Sequence, residues 1–219
     1  MTETTLALWV VRLGLVVAGL VGWFWTQRLI GQRAWPAGHV GDGLHQVTAR
    51  LNRYLHEHPP AANALLVTTS AIIDALGLFI LARSIFGPSF RPFLGLLILY
   101  ALRQICQGLC ALPPPDGMIW RHPGVPSLLV TYGTATDLFF SGHTAIAVFG
   151  GIELVQMGGP MLTALGVAIA VIEAATVLVL RAHYTMDVFT AIVAALWAAS
   201  AAAALAPGVD RALAALVGA

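Results

Sequence analysis

Two short stretches of this 219-residue chain hold residue types that could do chemistry together: Ser141-Gly-His143-Thr144 and His183-Tyr-Thr-Met-Asp187. His183 and Asp187 stand four apart, so on a helix both project from one side, one turn apart. From there a carboxylate can accept the imidazole's second N–H, which fixes the tautomer and supports positive charge on the ring. His143 could then serve as acid and base opposite a nucleophilic His183. The bland alternative for a lone histidine at a membrane edge is a satisfied interfacial side chain. Two such sites on one face, one with its own carboxylate, argue against it.

The elements that must position these residues are apolar. Hydrophobic residues make up 58% of the chain and charged residues 10%, with a mean hydropathy of +0.84. A soluble domain carries charge on nearer a quarter of its residues, so the chain reads as one integral membrane domain. Net charge is +1, which gives no field to draw in nucleic acid. All 11 basic residues are Arg, so Schiff-base, P-loop and Ser-Lys chemistry are excluded. The two cysteines, Cys106 and Cys110, are too few for a disulfide framework, a zinc finger or an iron–sulfur cluster, and read as small packing residues.

Apolar windows at 6–24, 63–86, 90–112, 138–157, 161–180 and 184–205 each approach the ~20 residues that a bilayer-spanning helix needs, which predicts six spans. The first, with no basic residue ahead of a long apolar run, reads as a retained span and not a cleaved leader. Residues 31–60 read as an interfacial segment, with Leu44, Val47, Leu51, Tyr54 and Leu55 at helical spacing. Residues 113–137 form a polar link suited to a substrate-side loop, and residues 206–219 a C-terminal tail. With six spans, the links after spans 1, 3 and 5 share one face. His143 opens span 4 and His183 opens span 6, so both approach that face from different helices.

At these residues the chain becomes recognisable. Asp137-Leu-Phe-Phe-Ser-Gly-His-Thr144 together with His183-Tyr-Thr-Met-Asp-Val188 resembles the lipid phosphatase/phosphotransferase superfamily of the type 2 phosphatidic-acid phosphatase (PAP2) fold. The branch it looks most like holds the sphingomyelin synthases and the plant phosphatidylcholine:diacylglycerol cholinephosphotransferases. Arg103 ahead of Leu112-Pro113 and Pro115 is similar to a third block of that branch, and Leu51-Asn-Arg-Tyr54 also looks like the plant transferases. The resemblance covers about residues 40–205. It implies an all-α, six-helix PAP2-like membrane bundle, with the catalytic His-Asp pair on His183 and Asp187 and the proton-transferring histidine on His143. The same blocks put Ser141, Gly142, Tyr184 and Asp137 beside the substrate, although Asp137 is better suited to the N-cap of span 4.

The phosphatase branch carries Lys-x6-Arg-Pro and Ser-Arg-x5-His-x3-Asp. Here there is no Lys, the sole Arg-Pro (Arg91-Pro92) lies on the opposite face, and Val177 stands where the second motif has its Arg. A phosphodiester carries one negative charge and needs fewer cationic grips than a phosphomonoester. The departures therefore favour a phosphotransferase that moves a headgroup such as phosphocholine from a membrane phospholipid donor to a lipid alcohol acceptor, diacylglycerol or ceramide-like, through a phosphohistidine. Arg181 and Arg103 are the candidates for phosphate contact. Arg103 has a rival role as the buried partner of Asp74 or Glu173.

No cofactor and no metal is expected. The alternatives are a lipid phosphate phosphatase or phospholipase C-like hydrolase on the same residues, a metal hydrolase with His143, His183 and Asp187 as ligands, and a non-catalytic lipid-binding or transport bundle. Glu153 and Glu173, on adjacent spans, are expected to share a structural network. His45, His56 and His58 read as solvated, and Trp9, Trp23, Trp25 and Trp35 as interfacial anchors. The Ala- and Arg-rich usage without Lys suits a multi-pass protein of a bacterial inner membrane.

Overall fold

A computed structural model describes residues 3–32, 38–124, 127–130, 132 and 138–218. Among these residues the chain is all-helical: α1 (Glu3–Gly31), α2 (Gly43–Val47), α3 (Ala49–Glu57), α4 (Pro59–Phe86), α5 (Arg91–Leu109), α6 (Gly142–Gln156), α7 (Pro160–Val179) and α8 (Thr185–Leu216). Proline sits in the first turn of α4, α5 and α7, where its fixed φ suits a helix start and its missing N–H costs nothing.

Five helices are long and apolar enough to cross a membrane: α1, α4, α5, α7 and α8. The window at 138–157 departs from the expected sixth span. Its helix starts only at Gly142, because Ser141 turns the chain and its Oγ caps the Thr144 N–H. The 15 residues of α6 rise about 22 Å, against a hydrocarbon core of about 30 Å. Ten of the 15 are buried, enclosed by α4, α5, α7 and α8, so a central helix carries the hydropathy of a lipid-facing one. The α6–α7 link needs its two glycines, since Gly158 and Gly159 take φ of 87° and 90°. Further along the hairpin, a Cβ on Gly151 would come within 2.8 Å of the Gly166 carbonyl, so the backbones touch there.

The small residues of α8 pack as their composition suggests: Ala191, Ala195, Ala198 and Ala199 lie in the main core cluster with Leu96 and Leu99 of α5. Residues 206–216, expected as part of a tail, continue α8 through Pro207. At this end of the bundle Asp210 accepts from Ser89 Oγ at 2.5 Å and from the Phe90 N–H at 2.8 Å. Arg12 reaches the same acid at 3.5 Å and donates to the Gly87 carbonyl at 2.7 Å. The shared Glu153–Glu173 network is not formed. Glu153 is bound by Arg91 at 2.7 Å, while Glu173 takes the Thr69 hydroxyl.

The interfacial segment folds as two helices broken at Thr48. Leu44, Val47, Leu51 and Tyr54 point outward, as an amphipathic helix at a bilayer surface should, whereas His45, Asn52 and Leu55 are buried against the bundle. The solvated reading of His45 is thus corrected. Its ring Nε2 hydrogen-bonds the His183 carbonyl at 3.0 Å and the ring stacks on Tyr184.

Candidate active site

His183 rides on the link between α7 and α8, and its position follows from how α7 ends. The Ala182 N–H donates to the Val177 carbonyl at 2.9 Å and the Arg181 N–H to the Leu178 carbonyl at 3.1 Å. That is a Schellman closure, whose C′ residue must be left-handed. Arg181 fills it with φ 52°, where glycine is usual and another residue costs roughly 1–2 kcal/mol. Its side chain explains the choice: Nη1 donates to the Asp116 carbonyl at 2.5 Å and Nη2 to the His45 carbonyl at 3.2 Å. Arg181 therefore straps the link to α2 and the polar loop.

The two histidines come together. His143 and His183 line one small cavity of about 40 Å³, with Arg103, Gly142, Trp23, Tyr100 and Trp120 among its walls. At ~10–15 Å³ per water-sized group it has room for about three or four such groups. His183 Nδ1 donates to the Leu138 carbonyl at 2.8 Å, which leaves Nε2 as the ring's lone-pair nitrogen. Asp187 lies further away, its Oδ2 3.6 Å from Nδ1. That oxygen accepts the Tyr184 N–H at 2.8 Å, an N-terminal cap of α8. The orienting acceptor on His183 is thus first a backbone carbonyl and second the carboxylate.

His143 sits in the first turn of α6 and meets the Trp120 ring edge-on at 5.0 Å. Arg103 approaches from α5: Nε donates to the Phe140 carbonyl at 3.0 Å and Nη1 to Gln27 Oε1 at 3.2 Å. The rival pairings of Arg103 do not form with Asp74, whose carboxylate accepts the N–H groups of Leu128 and Leu129, or with Glu173. Gly142 is tightly placed, since a Cβ there would lie 3.2 Å from Arg103 Nε.

The other expected substrate contacts are occupied elsewhere. Ser141 Oγ caps α6, the Tyr184 hydroxyl donates to the Pro113 carbonyl at 3.0 Å, and Arg181 forms its strap. Asp137 and Trp35 lie outside the described residues. Among the described residues no group of three His, Cys, Asp or Glu is placed to hold a metal ion.

Several contributors escaped the sequence reading. Trp23 is buried and lines the cavity instead of anchoring at the interface. A signal for it existed, since Arg12, Val16, Trp23, Gln27 and Ile30 form the buried stripe of α1 at helical spacing. Trp120 was unremarkable in its polar loop, and the Leu138 carbonyl, being backbone, leaves no trace in a sequence. Asp42 is the other addition. It caps α2 and accepts from the Thr185 N–H and hydroxyl, each at 2.6 Å, two residues beyond His183. Burial pushes the Asp42 carboxyl up, but hydrogen bonds from Thr185 and His45 outweigh it and hold the group below its ordinary value.

Residues 42–204 match the family model described as AtPDCT1/2, the phosphatidylcholine:diacylglycerol cholinephosphotransferases. The chain belongs to this family. The matched span runs from Asp42 into α8 and so includes the clamp, both histidine blocks and Arg103. Membership together with the apolar helices makes this a multi-pass membrane protein, and it is consistent with a cholinephosphotransferase-type lipid activity. No curated protein and no solved structure matches the chain.

Proposed function

We propose that this protein is a membrane headgroup phosphotransferase of the PAP2 type, with α6 as a short sixth pass. It moves phosphocholine or a similar group from a phospholipid to a lipid alcohol. The observation that carries the reading is the convergence of His143, His183 and Arg103 on one cavity, with His183 Nε2 left as the lone-pair nitrogen by the Leu138 carbonyl on Nδ1.

His183 Nε2 attacks phosphorus, the bond from phosphorus to the diacylglycerol oxygen breaks, and protonated His143 gives that oxygen its proton. The products are diacylglycerol and a phosphohistidine that carries the headgroup. An acceptor alcohol then loses its proton to His143 as its oxygen attacks phosphorus, which frees His183 and restores protonated His143. Arg103 stabilises the equatorial oxygens throughout. The N-terminus of α6 opens on the cavity at Gly142 and His143, where unpaired first-turn N–H groups favour an anion. The Leu138 carbonyl and Asp187 support the positive ring of His183.

Two cation positions of the phosphatase pattern bring no charge to the site here. Arg91 is bound to Glu153 at the far end of the bundle, and Val177 is fully buried among apolar side chains. That supports a diester substrate over a monoester. The test is transfer in liposomes of headgroup-labelled phosphatidylcholine and diacylglycerol, with phosphatidic acid in a parallel arm. Label moving to the added diacylglycerol supports the reading. Soluble phosphocholine would point to a hydrolase, and phosphate released from phosphatidic acid would restore the phosphatase.

A further inference from the structure

The cavity around His143 and His183 is too small for a lipid, so the tails of any lipid substrate must lie outside it. A second cavity of about 410 Å³ runs between α1 and α5 on the lipid-facing side. That is a typical ligand-pocket size, roughly 300–1,000 Å³. Leu20, Phe93, Leu96 and Leu97 make its deep wall, and its polar groups, Thr26 and Gln104, sit towards the reactive end of the two parallel helices.

This groove and the reactive cavity share a wall: Trp23 and Tyr100 line both, and their rings pack against each other with centroids 4.9 Å apart. A narrow cavity of about 20 Å³ lined by the same two residues also touches Leu129 and Ile146, which line the reactive cavity. The polar groups join as well, because Gln27 Oε1 accepts from Gln104 Nε2 and from Arg103 Nη1, each at 3.2 Å.

We propose that the α1–α5 groove seats an acyl chain of the donor phospholipid, with Trp23 and Tyr100 as the portal between tail and reacting phosphate. The inference rests on the headgroup-transfer reading and adds where the donor lies. Polarity along the groove runs as it does along a phospholipid, from apolar at depth to hydrogen-bonding groups and then Arg103. The donor is favoured over the acceptor because Arg103 is the one Arg lining the reactive cavity among the described residues, and an uncharged diacylglycerol offers it no anion.

Gly22 provides the test. It lines the groove, and a Cβ added there meets nothing within 4 Å, so Gly22→Trp fills the groove without a clash at the backbone. Gly14 on the same helix is equally open, and Gly14→Trp is the matched control. The proposal expects Gly22→Trp to raise KM for a dioleoyl donor by about tenfold or more, as apolar burial of the chain is lost. KM for a dihexanoyl donor and for the acceptor should stay within about twofold, and Gly14→Trp should change neither. Ala101→Trp, from the opposite wall, should repeat the pattern.

No change would mean the groove holds only bulk lipid, a loss that follows acceptor chain length would assign it to the acceptor, and an equal loss with both donors would mean distortion of the site. Each result overturns the proposal. Photocrosslinking with a diazirine-tailed phosphatidylcholine, done in the His183→Ala background, reads the groove independently of turnover. Label in residues 19–26 and 96–104 that Gly22→Trp removes supports the groove even if transfer is absent. Label elsewhere refutes the groove even if transfer is present.

Discussion

Arg91 and Arg103 sit on one helix, 12 residues or about 18 Å apart, and have opposite fates. Arg91, at the start of α5, ends on the fully buried carboxylate of Glu153 at 2.7 Å. Arg103, near the other end, has the Phe140 carbonyl and the Gln27 amide among its partners and lines a cavity with two histidines. The whole molecule follows this division. At the Arg91 end Arg12 and Ser89 bind Asp210 while Arg91 and Arg83 bind Glu153, which is how a membrane protein satisfies polar groups that only hold it together. At the Arg103 end the side chains of Arg103, Arg181, His183 and Tyr184 reach backbone carbonyls, and these hydrogen bonds fix loop positions around an open space. The difference teaches that a buried arginine gains chemical meaning from its partners and not from its depth.

The comparison can be broken most forcefully at His183. His183→Ala should lower headgroup transfer by on the order of 10⁴-fold or more while the protein still folds. Transfer rates and thermal unfolding in detergent read the two separately. The arginine pair comes next. Arg103→Gln should cost about 10²–10³ in kcat with little change in unfolding, as for loss of one charge-stabilising donor. Arg91→Gln should do the reverse: kcat is kept, and stability falls by about 2 kcal/mol because buried Glu153 loses its partner at 2.7 Å and keeps only Arg83, 3.9 Å away. If both variants lost activity without destabilisation, the division between the two ends would fail.

Asp187→Asn sharpens the account of His183. Since Nδ1 already donates to Leu138, and an Asn oxygen can still accept the Tyr184 N–H, the loss in kcat should be about tenfold, not the ~10⁴ expected where a carboxylate alone sets the tautomer. The smallest effect concerns the clamp. Asp42 has a folded pKa below its ordinary 3.8, so its contribution is present above that value and is lost as pH falls through the folded pKa. Hydrogen exchange across residues 43–57 should stay slow above pH 3.8 and quicken below it. In Asp42→Asn, which has no charge to lose, that acid step should vanish.

Much of the reactive end was legible because its chemistry is written in side chains. His143, His183 and Asp187 were singled out by type and spacing, and the structure brings both histidines to one cavity with Asp187 3.6 Å from His183. What stayed hidden was of two kinds. Backbone groups such as the Leu138 carbonyl have no residue signature. Residues with two plausible partners, such as Arg181 and His45, resolve only once the fold says which partner is near. The shortness and enclosure of α6 stayed hidden for a related reason: hydropathy reports exclusion from water, and a helix enclosed by protein looks like one enclosed by lipid. The inward face of the interfacial helices was hidden because most of their apolar stripe faces outward, so that His45, Asn52 and Asp42 dock beside the single inward leucine, Leu55.

The most direct measurement is a rapid acid-free quench of purified protein in bilayers with headgroup-labelled phosphatidylcholine and no added acceptor, followed by a search for label on the protein. The account predicts label on His183 that survives alkali, is lost in acid, is absent from His183→Ala and moves to diacylglycerol when that is added. Undiminished transfer by His183→Ala, or label on a residue other than His183, would contradict it.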